Sequence, residues 1–229
     1  MPFRTTTSNV ASFESFFDGW LGRQEHFLDE LLVAQHNCHD SNEDDLRDLI
    51  GRVLSHYQEY YEEKSRAASR NVFLVFGPSW FTPLEHTFFW IAGFKPGLAF
   101  KLVETAVGPD LTPDQSQRLS LLLRETKAAE RELAEQLAQL QEGVAAPPIV
   151  ELARQQGRGT RDGEVLEVEG VLEALRSAME AVLSGADLLR TRTAARVVEI
   201  LTPVQGVKFL ASVAQLQLRI RNWGLRGLG

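Results

Sequence analysis

Three helix-start signals constrain the fold of this chain of 229 residues more than any other feature of its sequence. Each signal is a Thr, a Pro directly after it, and a Glu or Gln three residues after the Thr, at residues 82–85, 112–115 and 202–205. A Thr at the N-cap, a Pro in the first helical position and a Glu or Gln in the third form a capping box whose first φ is already helical. The sequence therefore predicts several helices that begin at defined residues.

Apolar residues recur at the three- and four-residue spacing of helices along most of the chain, and no window alternates as a strand does. We predict helices over residues 9–36, 43–70, 83–92, 96–108, 113–142, 149–155, 164–200 and 203–223. The expected fold class is all-α, a single bundle of about seven or eight helices over residues 10–225, with a flexible loop near 156–164. The longest apolar runs, 72–76 and 88–94, fall far short of the ~20 residues that span a membrane, so no span is expected.

The chain shows no combination of residues typical of a catalytic or metal site. No nucleophile, base and orienting group, and no pair of carboxylates, stands at a recognisable spacing, so we predict no catalytic residues and no enzyme. The one cluster of potential metal ligands is His36, Cys38, His39 and Asp40, whose spacing matches no closed zinc site. Cys38 is the only cysteine, which suits a reducing compartment, the nucleus or the cytoplasm.

Charge is unevenly distributed along the chain, which has a formal net charge of −7. Residues 190–229 hold seven Lys or Arg and one acid, a net charge of +6, whereas residues 1–189 hold 17 basic and 30 acidic residues, a net charge of −13. A solvated helix face explains such a basic segment, and so does a surface that binds an anionic partner. We expect Lys208, Arg219 and Arg221 on the outer side of the last helix, where they form a candidate partner surface.

Aromatic side chains are concentrated in residues 79–103, which include Trp80 and Trp90. Their helical spacing is most simply explained by a core, with Trp90 near its centre. Alternatively, the segment lines an apolar tunnel for a lipid-like ligand, because helix bundles hold ligands between facing helices. The candidate lining residues of such a tunnel are Phe88, Phe89, Trp90, Phe94 and Phe100.

Three groups of residues together resemble a known family. The first is Trp80, Pro83, Glu85, Trp90, Gly93 and Pro96; the second is Asp187, Arg190, Pro203, Gln205 and Trp223; the third is Phe13, Phe17, Trp20 and Gln24. In identity and spacing they resemble the plant delay-of-germination, or seed dormancy control, domain. The same domain forms the C-terminal part of the TGACG-motif-binding bZIP factors. The resemblance covers about residues 10–225.

The resemblance implies a plant regulatory protein without enzymatic activity, in seed dormancy and germination, pollen aperture formation or transcriptional control. It implies protein partners, type 2C phosphatases or transcription factors, in the nucleus and/or the cytoplasm. The chain lacks a Lys- and Arg-rich helix that runs into leucine heptads, so we expect no direct sequence-specific reading of DNA. The alternative is a sensor that holds a lipid or haem between its helices. The identity of the partner and the oligomeric state stay open.

Haem is a specific case, because the resemblance implies two histidine ligands one helical turn apart, just before the final Trp-Gly. The matching positions here are Gln217 and Arg221. Neither side chain is a usual haem ligand, and a guanidinium beside the iron is unfavourable. We therefore expect no haem and no other cofactor.

Overall fold

The computed structural model describes residues 3–37, 42–144 and 162–227. These residues form eight α-helices and no strand, which confirms the all-α prediction. The helices are α1 (Phe3–His36), α2 (Glu43–Arg70), α3 (Val72–Phe76), α4 (Pro83–Thr87), α5 (Leu98–Val107), α6 (Pro113–Val144), α7 (Asp162–Ile200) and α8 (Pro203–Leu225), with one 3-10 turn at Gly108–Asp110. The helix predicted over 149–155 and most of the loop predicted near 156–164 lie outside the described residues. The single domain predicted over 10–225 stays a prediction.

Capping fixes the helix starts that the sequence predicts. Helices α4, α6 and α8 begin at the three prolines that follow Thr82, Thr112 and Thr202. At each start the Thr hydroxyl accepts the backbone N–H of the residue three positions on, and that residue's side chain accepts the N–H of the Thr. These reciprocal bonds satisfy two of the donors that a helix start leaves without partners.

Two local features differ from the sequence prediction. Residues 72–76 form the short helix α3, because the Asn71 side chain accepts the Phe73 N–H and caps it. Helix α4 ends at Thr87 and not at residue 92. There Ile91 and Ala92 take positive φ values of 47° and 54°, which a right-handed helix excludes.

Helices α7 and α8 organise the packing. Helix α8 contacts α1, α2, α4 and α5, whereas α7 packs along α6 and also contacts α2, α3 and α5. The largest buried side chains include Trp20, Phe17 and Phe209. No helix within the described ranges is both long enough and apolar enough to cross a membrane.

Trp90 does not lie at the centre of the core, which corrects the sequence prediction. It is half-buried, because the chain has already left helix α4 and turns back at the surface. Two cationic groups flank its ring, with the Lys95 Nζ at 5.9 Å and the Arg190 Cζ at 5.5 Å from the ring centroid. The central tryptophan is Trp20, which is 0% exposed.

Candidate functional site

The capping carboxylate of α4 also binds the last helix. Glu85 is buried, and its Oε2 accepts both the Thr82 N–H at 2.7 Å and a bond from the Arg221 Nη1 at 3.0 Å. The same Arg221 nitrogen donates to the Trp80 carbonyl oxygen at 2.6 Å. The Arg221 side chain is 15% exposed, so the prediction that it lies on the outer side of α8 is wrong. A buried carboxylate opposite this position draws the guanidinium inwards, since an unpaired buried charge is costly.

A second buried charge cluster joins α2 to α7. The Lys64 Nζ donates to the Asp187 Oδ1 at 2.8 Å, and the Arg190 Nη1 donates to the same oxygen. The side chains of Lys64 and Arg190 are 2% and 6% exposed. The cluster therefore places two cations around one carboxylate inside the molecule. Burial lowers the pKa of Lys64 to about 8, and Asp187 limits that fall.

Arg190 also holds the loop that follows α4. It donates to the carbonyl oxygens of Trp90, Ile91 and Phe94. Gly93 allows this approach, because a Cβ there would stand 3.0 Å from the Arg190 Cζ. The guanidinium thus substitutes for the backbone hydrogen bonds that this irregular loop cannot make itself.

A cavity of about 160 Å³ lies between the two charge clusters. Residues of α1, α2, α4, α5, α7 and α8 and of the segments before and after α4 surround it. Its polar lining residues are Tyr57, Tyr60, Tyr61, Lys64, Glu85, Lys95, Arg190, Thr193 and Gln217, and the rest of the wall is mainly aromatic and aliphatic. Burial raises the pKa values of Tyr60 and Tyr61, so both hydroxyls keep their protons at neutral pH.

The predicted tunnel residues do not lie together. Phe89 and Phe94 line the cavity. Phe88 is 46% exposed, and Trp90 is not among the lining residues. Phe100 lines a separate groove between α5 and the start of α6. The structure therefore brings together two of the five.

Sequence reasoning missed the part of the cavity that α2 contributes. Tyr57, Tyr60, Tyr61 and Lys64 follow one another at three- and four-residue spacing, so they share one face of α2. Val53 precedes the tyrosines on the same buried side of the helix. Lys64 follows Tyr60 and Tyr61 on this face, and this position of a lysine could have indicated a buried cation.

The residues available for the candidate partner surface also differ from those predicted. Lys208 pairs with Asp110 at 3.1 Å, and Arg221 is internal, so of the three predicted residues only Arg219 is exposed and makes no ion pair within the described part of the chain. Beyond it, Trp223 and Leu225 are 47% and 63% exposed, and Arg226 is exposed as well. We call Arg219, Trp223, Leu225 and Arg226 the α8-end surface.

Several other motif residues hold helix ends together. Gln205 caps α8 and contacts Gln115, which caps α6; the Gln115 Nε2 donates to the Gln205 Oε1 at 2.8 Å. The Gln205 Nε2 also donates to the Asp110 carbonyl oxygen at 2.9 Å. Pro83 and Pro203 begin α4 and α8. Pro96 precedes α5, and its carbonyl oxygen accepts the Ala99 N–H at 3.0 Å. These motif residues therefore have structural roles.

The residues at the implied haem positions do not fit haem. The Gln217 Oε1 accepts bonds from Gln24 and Tyr57, at 3.2 and 3.4 Å, and Arg221 is paired with Glu85. Neither position offers an imidazole, and the paired guanidinium would lie where an iron ligand is needed. The absence of haem stays a prediction. Among the described residues no group of His, Cys, Asp and Glu could hold a metal ion, while Cys38, His39 and Asp40 lie outside them.

Comparison with known proteins identifies the same family as the motif residues do. The family described as "Seed dormancy control" (DOG1) matches residues 27–105. Protein RESPONSE TO ABA AND SALT 1 of Arabidopsis thaliana is 41% identical over 223 residues, which are 94% of this chain and 96% of that protein. Protein ZW2 of the same plant is 37% identical, over 96% of this chain and 99% of its own length. Transcription factor TGA2.3 of rice is 30% identical over 93% of this chain and 64% of the factor. The chain therefore belongs to the seed dormancy control family, with a weaker similarity to the TGA bZIP factors.

Proposed function

We propose that this protein is a non-enzymatic regulator that acts through contacts with other proteins. The observation that carries the proposal is the similarity to RESPONSE TO ABA AND SALT 1, which extends over almost the full length of both chains. The name of that relative refers to a response, and the rice relative is named as a transcription factor. The buried charges support the proposal, since Lys64, Glu85 and Arg190 are engaged in contacts between structural elements.

The process we propose is the control of seed dormancy or germination, or related developmental and transcriptional control, in the nucleus and/or the cytoplasm. A role in pollen aperture formation is the alternative within the same family. The partners we propose are a type 2C phosphatase or a transcription factor. A tobacco relative is named as a TGACG-sequence-specific DNA-binding protein, and this chain matches 45% of its length. We propose that this chain itself does not read DNA sequence.

The α8-end surface is the proposed contact region. Trp and Arg are the residue types most enriched at the energetic centres of protein interfaces. Here Trp223 is 47% exposed, between two exposed arginines, Arg219 and Arg226. Arg219 and Arg226 are both exposed on this surface, so an acidic partner surface would complement it.

The test measures binding of the purified protein to a type 2C phosphatase and to a TGACG-binding bZIP factor. Wild type is compared with Arg219→Glu/Trp223→Ala and with the control Arg131→Glu/Leu121→Ala, which changes two exposed residues of α6. We expect saturable binding of at least one partner, weakened about tenfold or more by the first double variant alone. Absence of binding to both partners, or an equal loss in the control, contradicts the proposal. Parallel capture from seed and anther tissue then separates the dormancy role from the pollen role.

A ligand sensor is the second candidate function, and the cavity between the charge clusters favours it. Its walls are mainly apolar, and a few polar side chains point to one oriented ligand. The sequence suggests lipid or haem as the ligand. The side chains of Gln217 and Arg221 are already hydrogen-bonded to Gln24 and Glu85, which argues against haem as the ligand.

A further inference from the structure

We infer that the cavity binds a small carboxylic acid with a single ring, whose carboxylate is held by Lys64 and by the hydroxyls of Tyr60 and Tyr61. This inference rests on the second proposed function, ligand sensing, and is independent of the partner contacts of α8. Two observations carry it: donors without acceptors on one face of α2, and the size of the cavity.

The hydrogen-bond donors without acceptors belong to one face of α2. Lys64 lines the cavity, is 2% exposed and has three N–H groups, of which only one has an acceptor within the described part of the chain, on Asp187. Tyr60 and Tyr61 also line the cavity, and their hydroxyls make no hydrogen bond to the described residues. The Lys64 Nζ lies 5.8 Å from the Tyr61 ring centroid, and the two tyrosine rings are 5.3 Å apart. Lys64 is buried and the two tyrosines are partly buried, so N–H groups without acceptors at a buried ammonium favour an acceptor ligand.

The charged groups around the cavity differ in how many acceptors they have. Each cation there pairs with a carboxylate, including that of the buried Glu130, which pairs with Lys95. Arg190 also binds three carbonyl oxygens, whereas Lys64 has no acceptor besides Asp187 within the described residues. A carboxylate from a ligand would accept from Lys64 and offset the cost of burying its ammonium group.

The volume of the cavity limits the size of the apolar part of the ligand. The cavity measures about 160 Å³, and an apolar protein cavity of about 150 Å³ is known to admit benzene. Aromatic residues from several elements line it, including Phe81, Phe89, Phe94 and Phe209. Rings favour edge-to-face contacts with such walls, as Phe81 and Phe89 already show with centroids 4.6 Å apart. A single ring fills a space of this size.

The test uses calorimetric titration of the full chain with four probes. Phenylacetate carries a ring and a carboxylate, phenylacetamide is its neutral analogue, phenethylamine is a cationic one, and dodecanoate has a long chain. We expect one-to-one binding of phenylacetate, at least about tenfold tighter than that of phenylacetamide, which corresponds to about 1.4 kcal/mol. We expect the weakest binding from phenethylamine.

Variants locate the site. Lys64→Met keeps the length of the side chain and removes its charge, while Lys101→Met does the same at an exposed position of α5. Tyr61→Phe removes only the hydroxyl, so it remains informative if Lys64→Met does not fold. We expect phenylacetate binding to weaken at least about tenfold in Lys64→Met, to weaken in Tyr61→Phe and to be unchanged in Lys101→Met.

The outcomes separate this inference from the proposal on which it rests. Equal binding of phenylacetamide and phenylacetate would contradict recognition of a carboxylate. Full binding of phenylacetate by both Lys64→Met and Tyr61→Phe would contradict it as well. Either result is compatible with the ligand-sensor function. Tighter binding of dodecanoate than of phenylacetate overturns the single ring. Absence of binding by all four probes overturns both this inference and the sensor function, and leaves the regulator function untouched.

Discussion

Gly224 lies so close to the N-cap of α4 that a Cβ at position 224 would stand 2.0 Å from the Thr82 Oγ1. The C-terminal end of α8 therefore packs directly on the capping hydroxyl of another helix. One turn earlier on α8, Arg221 binds Trp80 and Glu85 of the same segment. This contact explains why the Trp-Gly pair near the end of the chain needs the glycine.

The first prediction concerns this close approach. Gly224→Ala should destabilise the protein by about 1–3 kcal/mol, because the new methyl group forces the helix end and the cap apart. Gly51→Ala is the matched control, since Gly51 is exposed in α2 with open space around its Cβ position. It should stabilise by about 0.5–1 kcal/mol through helix propensity. Urea unfolding of both variants measures the difference, and a stabilising effect of Gly224→Ala would contradict the observed packing.

The second prediction concerns the internal position of Arg221. Arg221→Gln leaves the Glu85 carboxylate buried without its cation, and we expect a loss of about 3–5 kcal/mol. Arg219→Gln, two residues earlier and exposed, should change the unfolding free energy by less than about 0.5 kcal/mol. Urea titrations of the two variants under identical conditions test this. Similar small effects at both positions would mean that Arg221 lies on the surface, as the sequence pattern suggested.

The sequence predicted those parts of the fold that depend on local chemistry. The caps at Thr82, Thr112 and Thr202 need only residues within one turn, and the predicted range of α2, 43–70, equals the observed Glu43–Arg70. The end of α4 was missed because a distant residue determines it. Arg190 follows Trp90 by 100 positions, and its bonds to the loop carbonyls stabilise a conformation that local propensity disfavours.

The candidate site was harder to predict, because it depends on which charged side chains point inwards. We predicted Arg219 and Arg221 together on the outer side of α8, although residues two apart on a helix do not share a face. Arg221 turns inwards, where it pairs with the buried carboxylate of Glu85 from another helix. Lys64 is similar: its spacing from Tyr60 and Tyr61 indicates a shared face, but its burial depends on Asp187 in α7. Pairings between distant elements leave no periodic signal in a single sequence.

The third prediction concerns the loop that Arg190 holds. Arg190→Lys keeps a positive charge for Asp187 but cannot reach three carbonyl oxygens at once, because it lacks the planar fork of donors. We expect a loss of about 2–4 kcal/mol and faster amide hydrogen exchange at residues 90–94. Arg192→Lys is the control, since Arg192 is exposed on the same helix. If exchange in the loop is the same in both variants, the guanidinium does not hold it.

The fourth prediction concerns pH. His56 is 4% exposed, its ring stacks on Trp20 with centroids 4.5 Å apart, and burial lowers its pKa from 6.5 to about 4. The unfolded chain therefore takes up this proton first as the pH falls, so stability decreases between about pH 6.5 and 4, by about 2–3 kcal/mol from this group. His56→Phe keeps the ring and should remove that part of the pH dependence. Urea midpoints of wild type and His56→Phe, measured across this range, test this. An identical pH profile for wild type and His56→Phe would show that His56 does not titrate in this window.

The last prediction separates the two chemical features of the α8-end surface once a partner is in hand. Arg219 is exposed and makes no ion pair within the described residues, so it can attract an acidic partner over a distance that salt shortens. Arg219→Glu should therefore slow association and flatten its salt dependence, with little change in dissociation. Trp223 offers apolar contact area, so Trp223→Ala should instead speed dissociation, by about tenfold or more if it is an energetic centre. Arg219→Glu should unfold within about 0.5 kcal/mol of wild type, because the residue is exposed. Urea unfolding of Trp223→Ala checks that this variant is folded under the conditions of the binding experiment. Stopped-flow or biosensor kinetics at several salt concentrations measure the two rates, and unchanged rates in both variants would place the partner on another face of the protein.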